Sequence, residues 1–91
     1  MIIREPMTGD TDSILRLLRD IDAALARAAW AEARADALFT VHLDRRAWGL
    51  AEDAETALAE ARSARIAALL HRAEATALRV RLADPDGTIL R

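Results

Sequence analysis

Two imidazoles, His42 and His71, are the side chains best suited to metal binding or general-base work, and there is no cysteine or lysine beside them. If the chain folds back on itself about Arg46, His71 faces Ile21 and lies roughly 30 Å of helix from His42, too far for one ion to be shared. His71-Arg72-Ala73-Glu74 offers two ligand types on one face. It lacks the glutamate ahead of the histidine and the inward carboxylates that ferritin-like metal sites use. Each histidine therefore reads as a structural residue, at a helix end or partly buried.

Nucleophilic catalysis fares no better. Ser13, Ser63 and six threonines have no elbow motif around them, and the absence of cysteine and lysine removes the thiolate and the Schiff-base amine. The three glycines are too far apart for a phosphate-cradling loop between strand and helix. No cofactor and no small-molecule substrate are expected, and no convergent acid, base and nucleophile set argues for an enzyme. Arg45-Arg46 and the series Arg62, Arg65, Arg72 and Arg79 could meet a phosphate backbone, but the net charge is −2 and the pI about 5.6. Such a series is more commonly a solvated face or a partner for acids.

The elements that would position these groups are helical. From Asp12 to Leu82 there is no proline and one glycine, Gly49. Of the apolar residues, 22 are alanines and 26 are larger, which is thin for the core of a small monomer. Help from another chain is expected. The N-terminal residues have no basic region followed by an apolar stretch, and no run of apolar residues is long enough to span a bilayer, so a cytoplasmic location is expected.

Helix one is expected over 11–43, after an N-terminal strand or turn over 1–10. Its seam reads Ile14, Leu18, Ile21, Leu25, Ala28, Ala35, Phe39 and His42, at steps of four and three broken at Glu32. A connection over 44–49 makes the helices antiparallel. Helix two is expected over 50–78, with an early seam of Ala51, Ala54, Leu58 and Ala61. A later seam of Ile66, Leu69, Ala73 and Val80 follows, with a phase change near Arg62 to Arg65. Folding about Arg46 places Asp20 by Arg72 and Asp12 by Arg79, but also Arg27 near Arg65 and Glu32 near Glu60.

Leu78-Arg79-Val80-Arg81-Leu82 alternates with period two ahead of Asp84-Pro85-Asp86-Gly87, so a β-hairpin is expected over 79–91. Met1–Arg4 is suited to add a third strand. The expected fold is mainly α: a long antiparallel two-helix hairpin of coiled-coil type with a short C-terminal β-hairpin, in β-α-α-β-β order.

Two tryptophans carry the functional expectation. Trp30 lies opposite the seam with Ala23, Ala26, Ala33, Ala37 and Val41. That second apolar face calls for a further helix from an identical chain or another protein. Trp48 is placed to cap the end of the core or to anchor an interface. The interface candidates are Ile14, Leu18, Ile21, Leu25, Trp30, Phe39, Val41, Trp48, Leu58, Ile66 and Leu69. The expected role is a non-enzymatic interaction subunit. The alternatives are a small antitoxin-like or DNA-associated module using the helix-two arginines, and a truncated acetyltransferase-like fragment.

The last alternative rests on Ile2 to Leu18, which resembles the opening strand and first helix of GNAT-type N-acetyltransferases. The helices here are much longer, and the strand and glycine-containing loop that hold acetyl-coenzyme A in that family have no counterpart. Trp48-Gly49 at the turn resembles the Trp-x-Gly family of small secreted helical hairpins, without the intervening residue and without the tyrosine of that family's export motif.

Overall fold

The structure, a computed structural model, describes residues 4–84, with side chains over 11–84. It consists of α1 (Arg4–Ala47) and α2 (Ala51–Ala83), packed antiparallel in one layer of 73 × 26 × 12 Å. Both helices exceed their expected bounds. Residues 4–10 continue α1, which corrects the expected N-terminal strand or turn there; Pro6 falls in the first turn, where a missing N–H costs nothing.

Residues 79–83 likewise continue α2, so no strand is present among the described residues and the expected β-hairpin is not found. Its Asp-Pro-Asp-Gly turn lies mostly outside the described residues. The alternation that suggested a strand is ambiguous, because Leu78 and Leu82 are also four apart on a helix. Both are half-buried against α1, in phase with Ala75. Residues 4–10 are helical as well, so among the described residues no strand pairs with this segment, and the helical period wins.

The connection is a Schellman motif built on one glycine. Gly49 has φ +80°, its N–H donates to the Arg46 carbonyl at 3.1 Å, and the Leu50 N–H reaches back to the Arg45 carbonyl at 2.9 Å. Leu50 then opens α2 without a side-chain cap, its carbonyl accepting from the Ala54 N–H. A Cβ on Gly49 would meet nothing within 4 Å, so the penalty for alanine is conformational alone, about 1 kcal/mol. Gly49→Ala should lower the melting temperature by about 4–8 °C without changing helical content in the cold. An unchanged melting temperature would show that the turn does not depend on the left-handed residue.

Alanine forms the core. On α1 the inward positions are Leu17, Ile21, Ala24, Ala28, Ala31, Ala35, Leu38 and His42. On α2 they are Ala54, Ala57, Ala61, Ala64, Ala68, His71, Ala75, Leu78 and Leu82, all buried or half-buried. Steps of three and four alternate without interruption on both helices, which is the seam of an antiparallel coiled coil. The expected phase change near Arg62 to Arg65 is absent.

This seam differs from the expected one by one residue at every second position. Ile21, Ala28, Ala35 and His42 hold their places, but Leu17, Ala24, Ala31 and Leu38 point inward where Leu18, Leu25, Glu32 and Phe39 were expected. On α2 the inward residues Ala57, Ala64 and Ala68 replace Leu58, Ile66 and Leu69. A methyl group on each side lets the two backbones approach closely, and the matching small surfaces interlock where leucine would hold them apart.

Register follows from where α1 ends. Because α1 runs through to Ala47, facing residue numbers sum to about 101 in the pairs Arg27–Glu74 and Asp36–Arg65, not to about 92. Arg27 thus meets Glu74 in place of Arg65, and Glu32 meets Arg72 in place of Glu60. The like-charge oppositions of the expected register disappear. Asp20 lies with Arg81 at a shared surface depression, away from Arg72.

Candidate interaction surface

Closing the alanine seam leaves each helix with two flanks, one on either face of the layer. On one face α1 presents Leu15, Leu18, Leu25, Phe39 and Leu43, and α2 presents Leu58 and Leu69. This leucine face also carries the ion pairs Glu32–Arg72 and Asp36–Arg65, the latter at 3.2 Å. The opposite, tryptophan face carries Trp30, Val41 and Leu70, and the pair Arg27–Glu74 at 3.0 Å.

The interface candidates distribute unevenly over this frame. Of the candidates Ile21 alone is buried in the hairpin, at 6% exposure, so it belongs to the internal seam. Leu25, Val41 and Leu58 are half-buried. Ile14, Leu18, Trp30, Phe39, Trp48, Ile66 and Leu69 are exposed. Ile14 keeps the phase of Ile21 but lies past the level at which α2 ends. Ile66 is on the outer edge of α2 with Val80. Trp48 is 81% exposed and does not cap the core.

Trp30 is 69% exposed, with the Arg34 guanidinium 6.0 Å from its ring centroid, in cation–π range. It forms the rim of a groove of about 360 Å³ between the helices, floored by Ala31, Ala64 and Ala67. Leu15, Leu43 and Leu70 are exposed apolar residues that the seam reading missed. Their signal was available in the spacing, since Leu15 and Leu43 each stand three or four residues from an expected seam position.

The two histidines sit in different settings. His42 is buried near the turn, where its Nδ1–H donates to the Ala54 carbonyl at 2.8 Å and its ring tilts against Phe39 at 5.6 Å. That bond ties the last turns of α1 to the first turn of α2. His71 stands with Arg27 and not with Ile21, about 22 Å along the rod from His42 at 1.5 Å per residue. Among the described residues no group of three or more His, Cys, Asp and Glu side chains is arranged to hold a metal ion. No described helix is long and apolar enough to cross a membrane.

Around His71 a small polar cluster closes the tryptophan face. Arg27 Nη2 donates to Glu74 Oε1, and Arg27 Nε–H approaches His71 Nδ1 at 3.4 Å, itself 3.5 Å from the same carboxylate oxygen. Nδ1 accepts from Arg27 in one tautomer of the ring and donates to Glu74 in the other. Hydrogen bonds from Arg27, then His71, hold the Glu74 carboxyl below its ordinary pKa of 4.5. A depressed folded pKa stabilises above the unfolded value and loses that contribution as pH falls through the folded one. Wild type and Glu74→Gln should therefore differ in melting temperature at about pH 6, and the gap should narrow as the pH falls below 4.5 and through the folded pKa. A gap of the same size at both ends would show that the carboxylate charge is not what matters.

The helix-two arginines do not form one free series. Arg65 is committed to Asp36 and Arg72 to Glu32, leaving Arg62 and Arg79 with no ion pair among the described residues. No known protein family, curated protein or solved structure matches this chain.

Proposed function

We propose that this chain is a non-enzymatic interaction subunit that assembles through the outward faces of its hairpin, with itself or with another protein. The observation that carries the reading is the inversion of its apolar groups. Among the described residues the buried positions are mostly alanine, while twelve large apolar side chains, Trp30, Phe39 and Ile66 among them, are more than a third exposed.

Surface area supports it. A compact monomer of 10.0 kDa exposes about 5,200 Å², and this chain exposes 7016 Å². The surplus of about 1,800 Å² exceeds the roughly 800 Å² that each partner gives up in a standard protein interface. Exposed apolar groups in these numbers on a single-layer hairpin ask to be covered.

The test is the solution mass of the purified chain by light scattering, with far-ultraviolet circular dichroism on the same samples. A helical dimer or larger oligomer is expected if the faces cover each other. A weakly helical or aggregating chain would assign the cover to a different protein. A fully helical, monodisperse monomer at about 100 μM would overturn the reading, since such a concentration populates interfaces of even micromolar affinity.

A further inference from the structure

Resting on that reading, we infer that the leucine face is covered by a second copy of this chain, in a twofold pair whose axis runs along the helices. The product is a four-helix bundle in which α1 of each copy lies over α2 of the other, antiparallel.

Charge segregation on this face leads to the arrangement. On α1 its charged positions are Asp22, Glu32 and Asp36, with Arg46 at the turn end. On α2 they are Arg62, Arg65, Arg72 and Arg79, with Glu55 at the turn end. One helix is acidic and the other basic, and at the turn both signs reverse together.

Symmetry then dictates the register. Rotation about an axis along the rod keeps every residue at its own level, and the levels are known from Arg27–Glu74 and Asp36–Arg65. Asp22 therefore comes over the partner's Arg79, Asp36 over the partner's Arg65 and Arg46 over the partner's Glu55. Leu43 comes over the partner's Leu58. No charged residue of the face meets one of its own sign.

The competing twofold axis, across the helices, stacks α2 on α2. It sets the four arginines of one copy against the four of the other, and α1 acids against α1 acids. Like charges brought together in an interface exclude that mode. The internal pairs Glu32–Arg72 and Asp36–Arg65 fall at the centre of the bundle, between Leu18 and Leu25 on one side and Leu43 and Leu58 on the other. Central polar pairs of this kind cost burial energy and fix the register.

The experiment uses the full chain and sedimentation equilibrium. Arg79→Glu is expected to raise the dimer dissociation constant about tenfold, since two symmetry-related pairs are lost and replaced by repulsion. Asp22→Arg should do the same, and the double variant Asp22→Arg/Arg79→Glu should return to within about threefold of wild type. Circular dichroism on each variant separates weakened association from unfolding.

An orthogonal measurement does not depend on affinity. Because the chain has no cysteine, Leu43→Cys and Leu58→Cys variants can be mixed and oxidised, and the disulfide-linked product should be the mixed dimer. Efficient linking of Leu43→Cys to itself would put α1 over α1 and overturn the arrangement. So would a helical double charge variant that stays weak, or a dimer dissolved by Trp30→Glu but untouched by Arg79→Glu. A chain that aggregates or folds poorly alone would overturn the second copy as occupant while leaving assembly with another protein in place. A well-folded monomer would overturn both.

Discussion

Ala35→Leu should destabilise the protein by about 2–3 kcal/mol, although leucine adds apolar volume and propagates a helix nearly as well as alanine. Ala35 is fully buried in the middle of α1, facing a seam in which Ala61, Ala64 and Ala68 are the neighbours at its level. An isobutyl group there has nowhere to go. The helices must separate along several turns or the side chain must leave its rotamer, and either forfeits the close contact that small residues provide. Chemical denaturation would read the loss as a lower midpoint. A leucine-lined seam of the ordinary kind would instead fill out and gain stability, so the sign of the change distinguishes the two cores.

The opposite pattern is expected on the outside. Leu18→Glu/Leu43→Glu should leave the hairpin helical yet weaken association by about a hundredfold or more, because each leucine buried in an interface contributes on the order of 1.5–3 kcal/mol. Both residues are more than 40% exposed and neither belongs to the internal seam. In a self-sufficient monomer such a double substitution would be neutral for oligomeric state. Light scattering across a dilution series, with circular dichroism at each point, reads both quantities on one sample, and an undiminished mass would remove the leucine face from the interface.

These two expectations also mark how far the sequence was legible. Two antiparallel helices and a turn at Gly49 follow from composition, spacing and one residue able to hold positive φ. Half of the α1 seam, Ile21, Ala28, Ala35 and His42, is common to the expected and observed packing. The other half is displaced by one residue because spacing alone favours the largest apolar side chains as knobs. Here alanine governs the packing, and Leu18, Leu25 and Phe39 flank it. The same preference for large residues produced the supposed phase change in α2, where Ile66 and Leu69 drew the repeat away from Ala64 and Ala68.

Other departures are of a local kind. A five-residue alternation at Leu78 to Leu82 satisfies both helical and strand periods, and only the half-buried position of Leu78 and Leu82, in phase with Ala75, decides between them. The register depended on the last residue of α1, which composition alone does not mark. Helix one was expected to stop near Leu43, yet it continues through Asp44, Arg45 and Arg46, with the Trp48 N–H bonded to the Asp44 carbonyl. That extension moves every cross-helix pair and turns the expected clash of Glu32 with Glu60 into the ion pair of Glu32 with Arg72. Leu18, Phe39, Ile66 and Leu69, expected in the seam, lie exposed because alanine takes the inward positions beside them. More apolar residues were present than one seam can bury.

The measurement that tests the whole account most directly is the melting temperature as a function of protein concentration. An alanine-seamed hairpin whose large apolar groups point outward draws much of its stability from whatever covers them, and mass action then links folding to assembly. Across a hundredfold range of concentration the helical melting transition should rise by about 5–10 °C. A melting temperature that stays constant over that range, with a monomeric mass throughout, would mean that the alanine core is sufficient by itself and that the exposed faces need no partner.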